Sequence, residues 1–149
     1  MRNRLFFVPL LAFVAAQAAP GFKQGVPFPA FEGWAKGSAA PGMAFKEAKD
    51  EAEAYVALYK ATSGAETLTL RLEGAGKFEG LASGATRFTW KGLEAQFLAS
   101  TKGGPTLIAV KYGDSKATLS VTFTASPKTR TQADMEKILR GLKPEKILK

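Results

Sequence analysis

Residues 107–124 read LIAVKYGDSKATLSVTFT, and the pattern of this stretch decides the fold. Leu107 to Tyr112 and Ala117 to Thr124 are apolar, β-branched and aromatic in character, and Gly113-Asp114-Ser115-Lys116 between them reads as a turn. In the second run Leu119, Val121 and Phe123 alternate with Ser120, Thr122 and Thr124. Successive side chains of a strand point to opposite faces, so this alternation places one face on a core and leaves the other to water or a partner. Two strands joined by so short a connection must be antiparallel neighbours.

The same signal recurs upstream. Leu68, Leu70 and Leu72 alternate with Thr67, Thr69, Arg71 and Glu73, while Arg87 to Trp90 and Leu93 to Ala99 flank a two-residue turn at Lys91-Gly92. Strands that follow one another through short turns predict a meander. Residues 43–62 read in two ways. Phe45, Ala48, Ala52, Tyr55 and Tyr59 recur at helical spacing, yet Ala54, Val56 and Leu58 alternate with Tyr55, Ala57 and Tyr59 as a strand would. The Ser63-Gly64 turn that follows favours a hairpin, and hence a strand over Ala52 to Ala61.

Beyond Pro127 the period changes. Thr131, with Asp134 three residues on as an acidic relative of the capping box, opens a helix whose apolar stripe is Met135, Ile138, Leu139 and Leu142, and Pro144 stops it. A single amphipathic helix after a sheet buries its stripe on the open sheet face. The predicted class is therefore α+β, an antiparallel β-sheet meander with a C-terminal amphipathic helix packed on one face.

At the other end, Met1 to Ala18 reads as a signal peptide. Arg2 and Arg4 form a positive n-region, Leu5 to Ala16 a short apolar stretch, and Ala16-Gln17-Ala18 a small-x-small cleavage pattern. The apolar run is about a dozen residues with Pro9 inside it, short of the roughly 20 needed to cross a bilayer, so no transmembrane helix is expected in the mature chain. Cutting after Ala18 leaves 131 of the 149 residues, enough for one domain with its own core. The expected location is outside the cytoplasm, in a periplasm or beyond. Residues 19–42 are rich in glycine, proline and aromatics, among them Phe22, Pro27, Phe28, Pro29, Phe31 and Trp34. Prolines this frequent predict an extended arm or irregular loop, held on the core by its aromatic side chains. Residues 43–149 form the α+β domain.

The chain has no histidine and no cysteine. The commonest general base, thiol nucleophiles, disulfides and the usual zinc, copper and haem ligands are thus missing from its repertoire. No catalytic, cofactor-binding or metal-binding residue is predicted. Glu47, Asp50, Glu51 and Glu53 are interrupted by lysines and read as a solvated face. Gly74-Ala75-Gly76 lacks the spacing of a phosphate loop, and Trp90, alternating with Phe88, reads as core. What stands out is charge. The formal net charge is +8, and from Lys111 onward nine Lys or Arg face four Asp or Glu, against ten and nine over Ala19 to Val110. Lys128, Arg130, Lys137, Arg140, Lys143 and Lys146 make a candidate anion-binding surface on or around the last helix, though cations there also complement a helix C-terminus.

The order of segments resembles that of small exported bacterial proteins with a PsbP-like or DcrB-like α+β fold. The residues that carry the resemblance are Gly33-Trp34, Ala52-Glu53-Ala54-Tyr55 leading into Thr67-Leu68-Thr69-Leu70, Trp90-Lys91-Gly92-Leu93-Glu94-Ala95, and the strand and helix from Ala117 to Leu142. The resemblance implies an extracytoplasmic accessory or binding module and supplies no functional residues. The expected function is a non-enzymatic envelope module with an envelope protein or polymer as partner. Two alternatives are an electrostatic binder of an anionic polymer, with wall polymer or lipid headgroups favoured over nucleic acid, and a carboxylate-dependent glycan hydrolase.

Overall fold

The computed structural model describes residues 21–149 apart from 39, 82 and 100–103. The predicted signal peptide, residues 1–18, lies outside the described residues. The fold is α+β. Two helices, α1 (Phe22–Gly25) and α2 (Phe28–Gly37), precede seven strands: β1 (Met43–Asp50), β2 (Ala54–Ala61), β3 (Thr67–Gly74), β4 (Thr86–Trp90), β5 (Leu93–Leu98), β6 (Thr106–Tyr112) and β7 (Ala117–Thr124). The helix α3 (Gln132–Leu142) follows. Short 3₁₀ segments span Ala75–Gly80 and Pro144–Lys146.

All strand pairs are antiparallel, but the order across the sheet is β1-β2-β3-β7-β6-β5-β4. The predicted simple meander is therefore corrected. Two ribbons, β1-β2-β3 and β4-β5-β6-β7, are joined by pairing β7 with β3, in the register Leu68↔Phe123, Leu70↔Val121, Leu72↔Leu119. The chain leaves β3 and restarts at the far edge, four inter-strand spacings or roughly 19 Å away. That crossover carries the segment Ala75–Gly80, whose Phe78 is fully buried. Gln96 donates its side-chain amide to the Phe78 carbonyl at 2.9 Å, which fixes the crossover to the outer face of the sheet.

Register explains both readings of residues 43–62. Both halves are strands, and β1 carries an irregularity between Phe45 and Glu47. The extra residue, Lys46, brings Phe45 and Ala48 to the same face opposite Tyr59 and Ala57, so a bulged strand mimics a helical spacing of three. The β4–β5 turn has positive φ at both Lys91 (46°) and Gly92 (80°), the geometry that suits the right-handed twist of a two-residue hairpin.

Residues 19–42 differ from expectation. The predicted extended arm is helical over α1 and α2. Pro27 occupies the N-cap of α2 and Pro29 its first turn, where a missing N–H costs nothing because those amides have no partner within the helix. The aromatic side chains of this segment lie in the core. Phe22, Phe28 and Phe31 surround the Tyr55 ring at centroid distances of 5.0, 5.3 and 5.4 Å. Phe22, Phe31 and Trp34 share one buried cluster with Leu68, Leu70, Leu72, Ile108, Val110, Leu119, Val121 and Phe123 of the sheet and Met135, Leu139 and Leu142 of α3. Among the described residues no helix is long and apolar enough to cross a membrane.

Candidate cationic grooves around the last helix

The N-terminus of α3 is fixed by a complete capping box. The Asp134 amide donates to the Thr131 hydroxyl at 3.2 Å, and the Thr131 amide donates to the Asp134 carboxylate at 2.9 Å. That backbone hydrogen bond, then the Thr131 side chain, then the charges of Arg130 and Lys128, hold the Asp134 carboxyl below its ordinary value. At the other end Lys143 takes a left-handed conformation, φ 50° and ψ 59°, and its amide reaches back to the Leu139 carbonyl. Glycine is the residue that usually fills this position, because a side chain is strained there.

These local features place the six predicted cations in three settings. Lys128, Arg130 and Lys137 line a groove of about 540 Å³ with Pro41, Asp134 and Ile138. Within it Arg130 is committed to the fold: its guanidinium pairs with Glu66 and lies 3.8 Å from the centroid of the Phe123 ring, while its Nε is buried without a partner. Ser126 donates to the same Glu66 carboxylate. Lys143 and Lys146 line a second groove, of about 580 Å³. Arg140 belongs to neither lining and sits 5.4 Å from the Trp90 ring, with Lys91 at the same distance from that ring. Trp90 is buried, in keeping with its alternation.

The second groove includes residues that charge counting overlooks. Its walls are Pro29, Ala30, Gly33, Trp34 and Gly37 of α2 and Gly141, Leu142 and Ile147 of the C-terminal segment. The two sides are pinned together, since Trp34 Nε1 donates to the Leu142 carbonyl at 2.8 Å; the Ser38 hydroxyl, 3.3 Å from the same oxygen, donates its one proton to the Trp34 carbonyl at 2.7 Å. Gly33 and Gly37 stand one turn apart, and a Cβ at either would meet nothing within 4 Å. Gly33, in the interior of α2, lowers helix stability by about 1 kcal/mol relative to alanine, whereas Gly37 is the last residue of the helix. Neither crowding nor backbone conformation requires them.

The acidic cluster is dispersed into ion pairs: Asp50 with Lys23 at 2.7 Å, Glu47 with Lys49 at 3.4 Å, Glu51 with Arg71 at 3.7 Å and Glu53 with Lys77 at 3.4 Å. No three Asp or Glu side chains converge on a metal-sized site among the described residues. A glycan hydrolase needs two carboxylates across a cleft. The two grooves above and two smaller ones each hold at most one, Asp134, Glu94 or Glu66. Gly74-Ala75-Gly76 ends β3 and starts the crossover that buries Phe78. No protein-family model, curated protein or solved structure matches the chain.

Proposed function

We propose that this chain is an exported, non-enzymatic binding module of the cell envelope that engages an anionic partner through the surface around α3. One observation carries the reading. Lys128, Lys137, Lys143 and Lys146 have no carboxylate within 4.0 Å among the described residues and line the two grooves, whereas Lys36, Lys46, Lys60, Lys91, Lys116, Arg140 and Lys149, also unpaired, line neither, and Lys23, Lys49, Arg71, Lys77, Arg87 and Lys111 each have a carboxylate partner. Cations left unpaired along two adjoining grooves attract an anion at long range and hold it at short range. In this reading α3 is an amphipathic cover on one face of the sheet, with Met135, Leu139 and Leu142 inward and Lys137 and Arg140 outward. The signal-peptide pattern of residues 1–18 and the PsbP-like or DcrB-like order of segments support the exported half of the proposal.

The test is binding of the chain to polyphosphate and to an acidic polysaccharide across a salt series. The expected result is affinity that falls steeply as salt rises, and that falls further in a Lys128→Gln, Lys137→Gln double variant. Binding that is undetectable at low salt overturns the anionic half of the reading. The exported half is tested separately, by mass measurement of the protein recovered from a cell envelope fraction. A chain beginning at Ala19 supports it, and an uncut chain held in the cytosol overturns it.

A further inference from the structure

Two positions around the groove between α2 and the end of α3, Gly33 and Lys143, carry residues that local structure disfavours. Gly33 occupies a helix interior where alanine is the better choice, and the space above it and above Gly37 at the helix end is empty. Lys143 occupies a left-handed position where glycine is the better choice. Each departure acts on the same groove: the glycines keep its floor low, and the lysine places a cation at its rim beside Lys146. The apolar side chains of Pro29, Ala30, Trp34, Leu142 and Ile147 share the rest of the lining with Ser38 and glycine backbone, and no carboxylate contributes to it. Apolar side chains beside two lysines with no carboxylate are complementary to an apolar chain that ends in a negative head.

Resting on the anion-binding reading above, we infer that this groove binds a single-chain anionic lipid, its acyl chain over Gly33 and Gly37 against Trp34 and its head between Lys143 and Lys146. A volume of about 580 Å³ accommodates a ligand of that size. Trp34 is one of two tryptophans, so its emission reports occupancy once Trp90 is replaced.

The experiment titrates a Trp90→Phe chain with monomeric lysophosphatidylglycerol, with lysophosphatidylcholine and with inorganic phosphate, following Trp34 emission. Calorimetric titration of the unsubstituted chain reads the same ranking without the Trp90 change. The expected result is saturable binding of the anionic lysolipid, at least tenfold weaker binding of the zwitterionic one, and none of phosphate alone. Gly33→Leu fills the groove and weakens lysolipid binding at least tenfold, with the melting temperature unchanged or raised. Lys143→Gly weakens binding while raising the melting temperature, which a purely structural lysine does not do. Equal binding by the Gly33→Leu chain, equal affinity for both lysolipids, or binding of phosphate as tight as that of the lysolipid overturns the inference. If lysolipid fails to bind while polyphosphate still binds through Lys128 and Lys137, the lipid site falls and the anion-binding function stands. If both ligands fail, both fall.

Discussion

The Tyr59 hydroxyl, in the middle of β2, donates a hydrogen bond to the Ala35 carbonyl near the end of α2. Tyr59 is 1% exposed, so neither group has water as an alternative partner. Burial also pushes the phenol up from 10.0 to about 12. One bond thus joins the N-terminal helices to the sheet and ties that joint to the protonation of a single side chain.

Tyr59→Phe leaves the buried Ala35 carbonyl with only the Ser38 amide, at 3.3 Å, as donor and is expected to cost about 1 kcal/mol, read as a lower midpoint in urea. The same change tests the alkaline limb. A phenol whose folded value is raised contributes stability that is intact below pH 10 and lost as pH climbs toward about 12. The Tyr59→Phe chain is expected to lose less stability than the parent between those values. Tyr55 and Tyr112, whose values are also raised by burial, supply the remaining dependence. Parallel stability curves for the two proteins across that range refute the assignment.

Glu66 is the counter-charge for Arg130, and both side chains are largely removed from water, at 10% and 20% exposure. Glu66→Gln strands the guanidinium over Phe123, with an expected cost of about 2 kcal/mol. Replacing both partners, as Glu66→Gln with Arg130→Met, restores part of that loss, because the charge is then gone. A double variant less stable than either single one would contradict this account. The Arg130→Met chain should also keep its polyphosphate affinity within a few-fold, since that side chain is already committed to Glu66.

Thr131→Ala removes the acceptor for the Asp134 amide and is expected to cost about 1 kcal/mol. Asp134 adds an acid dependence of the opposite sense to that of Tyr59. Its carboxyl is depressed below the ordinary 3.8, so its contribution is present above that pH and fades as pH falls further. Asp134→Asn is expected to flatten the acid limb of the stability profile. An unchanged limb would remove Asp134 from the account.

Lys91 holds a positive φ in a turn that asparagine or glycine adopts more readily. Lys91→Asn is expected to raise stability by about 0.5 kcal/mol, read as a small rise in melting temperature. A fall would show that the Lys91 ammonium above the Trp90 ring matters more than the backbone preference.

Where the sequence was legible, one physical constraint dominated. Leu68, Leu70 and Leu72, and likewise Leu119, Val121 and Phe123, alternate cleanly because each strand has one face on the core, and these segments are found as β3 and β7. Phe45 and Ala48 misled because Lys46 is inserted between them, and a bulge cannot be told from a helix by spacing alone. The helices of residues 22–37 were missed because Pro27 and Pro29 fall at the start of α2, where proline is harmless. The place of β7 between β3 and β6 leaves no trace in local pattern, since register across long range depends on which faces meet.

The candidate site divides in the same way. A count of charges finds Lys128, Lys137, Lys143 and Lys146. It cannot separate them from Arg130, whose partner Glu66 is 64 residues away. Nor can it find Trp34, which meets the end of α3 across 108 residues of chain. The signal within reach was the pair of glycines at 33 and 37, four residues apart in a stretch whose proline content hid the helix.

The position of β7 bears on how the molecule is made. Until that strand leaves the ribosome, the β1-β2-β3 ribbon and the β4-β5-β6 ribbon each present a bare edge toward the missing neighbour, with no hydrogen bond to join them. The sheet closes only when β7, the last of its seven strands in chain order, has been synthesised. The two ribbons therefore meet only through the last of the seven strands to be made, and β7 is the closing step of the sheet.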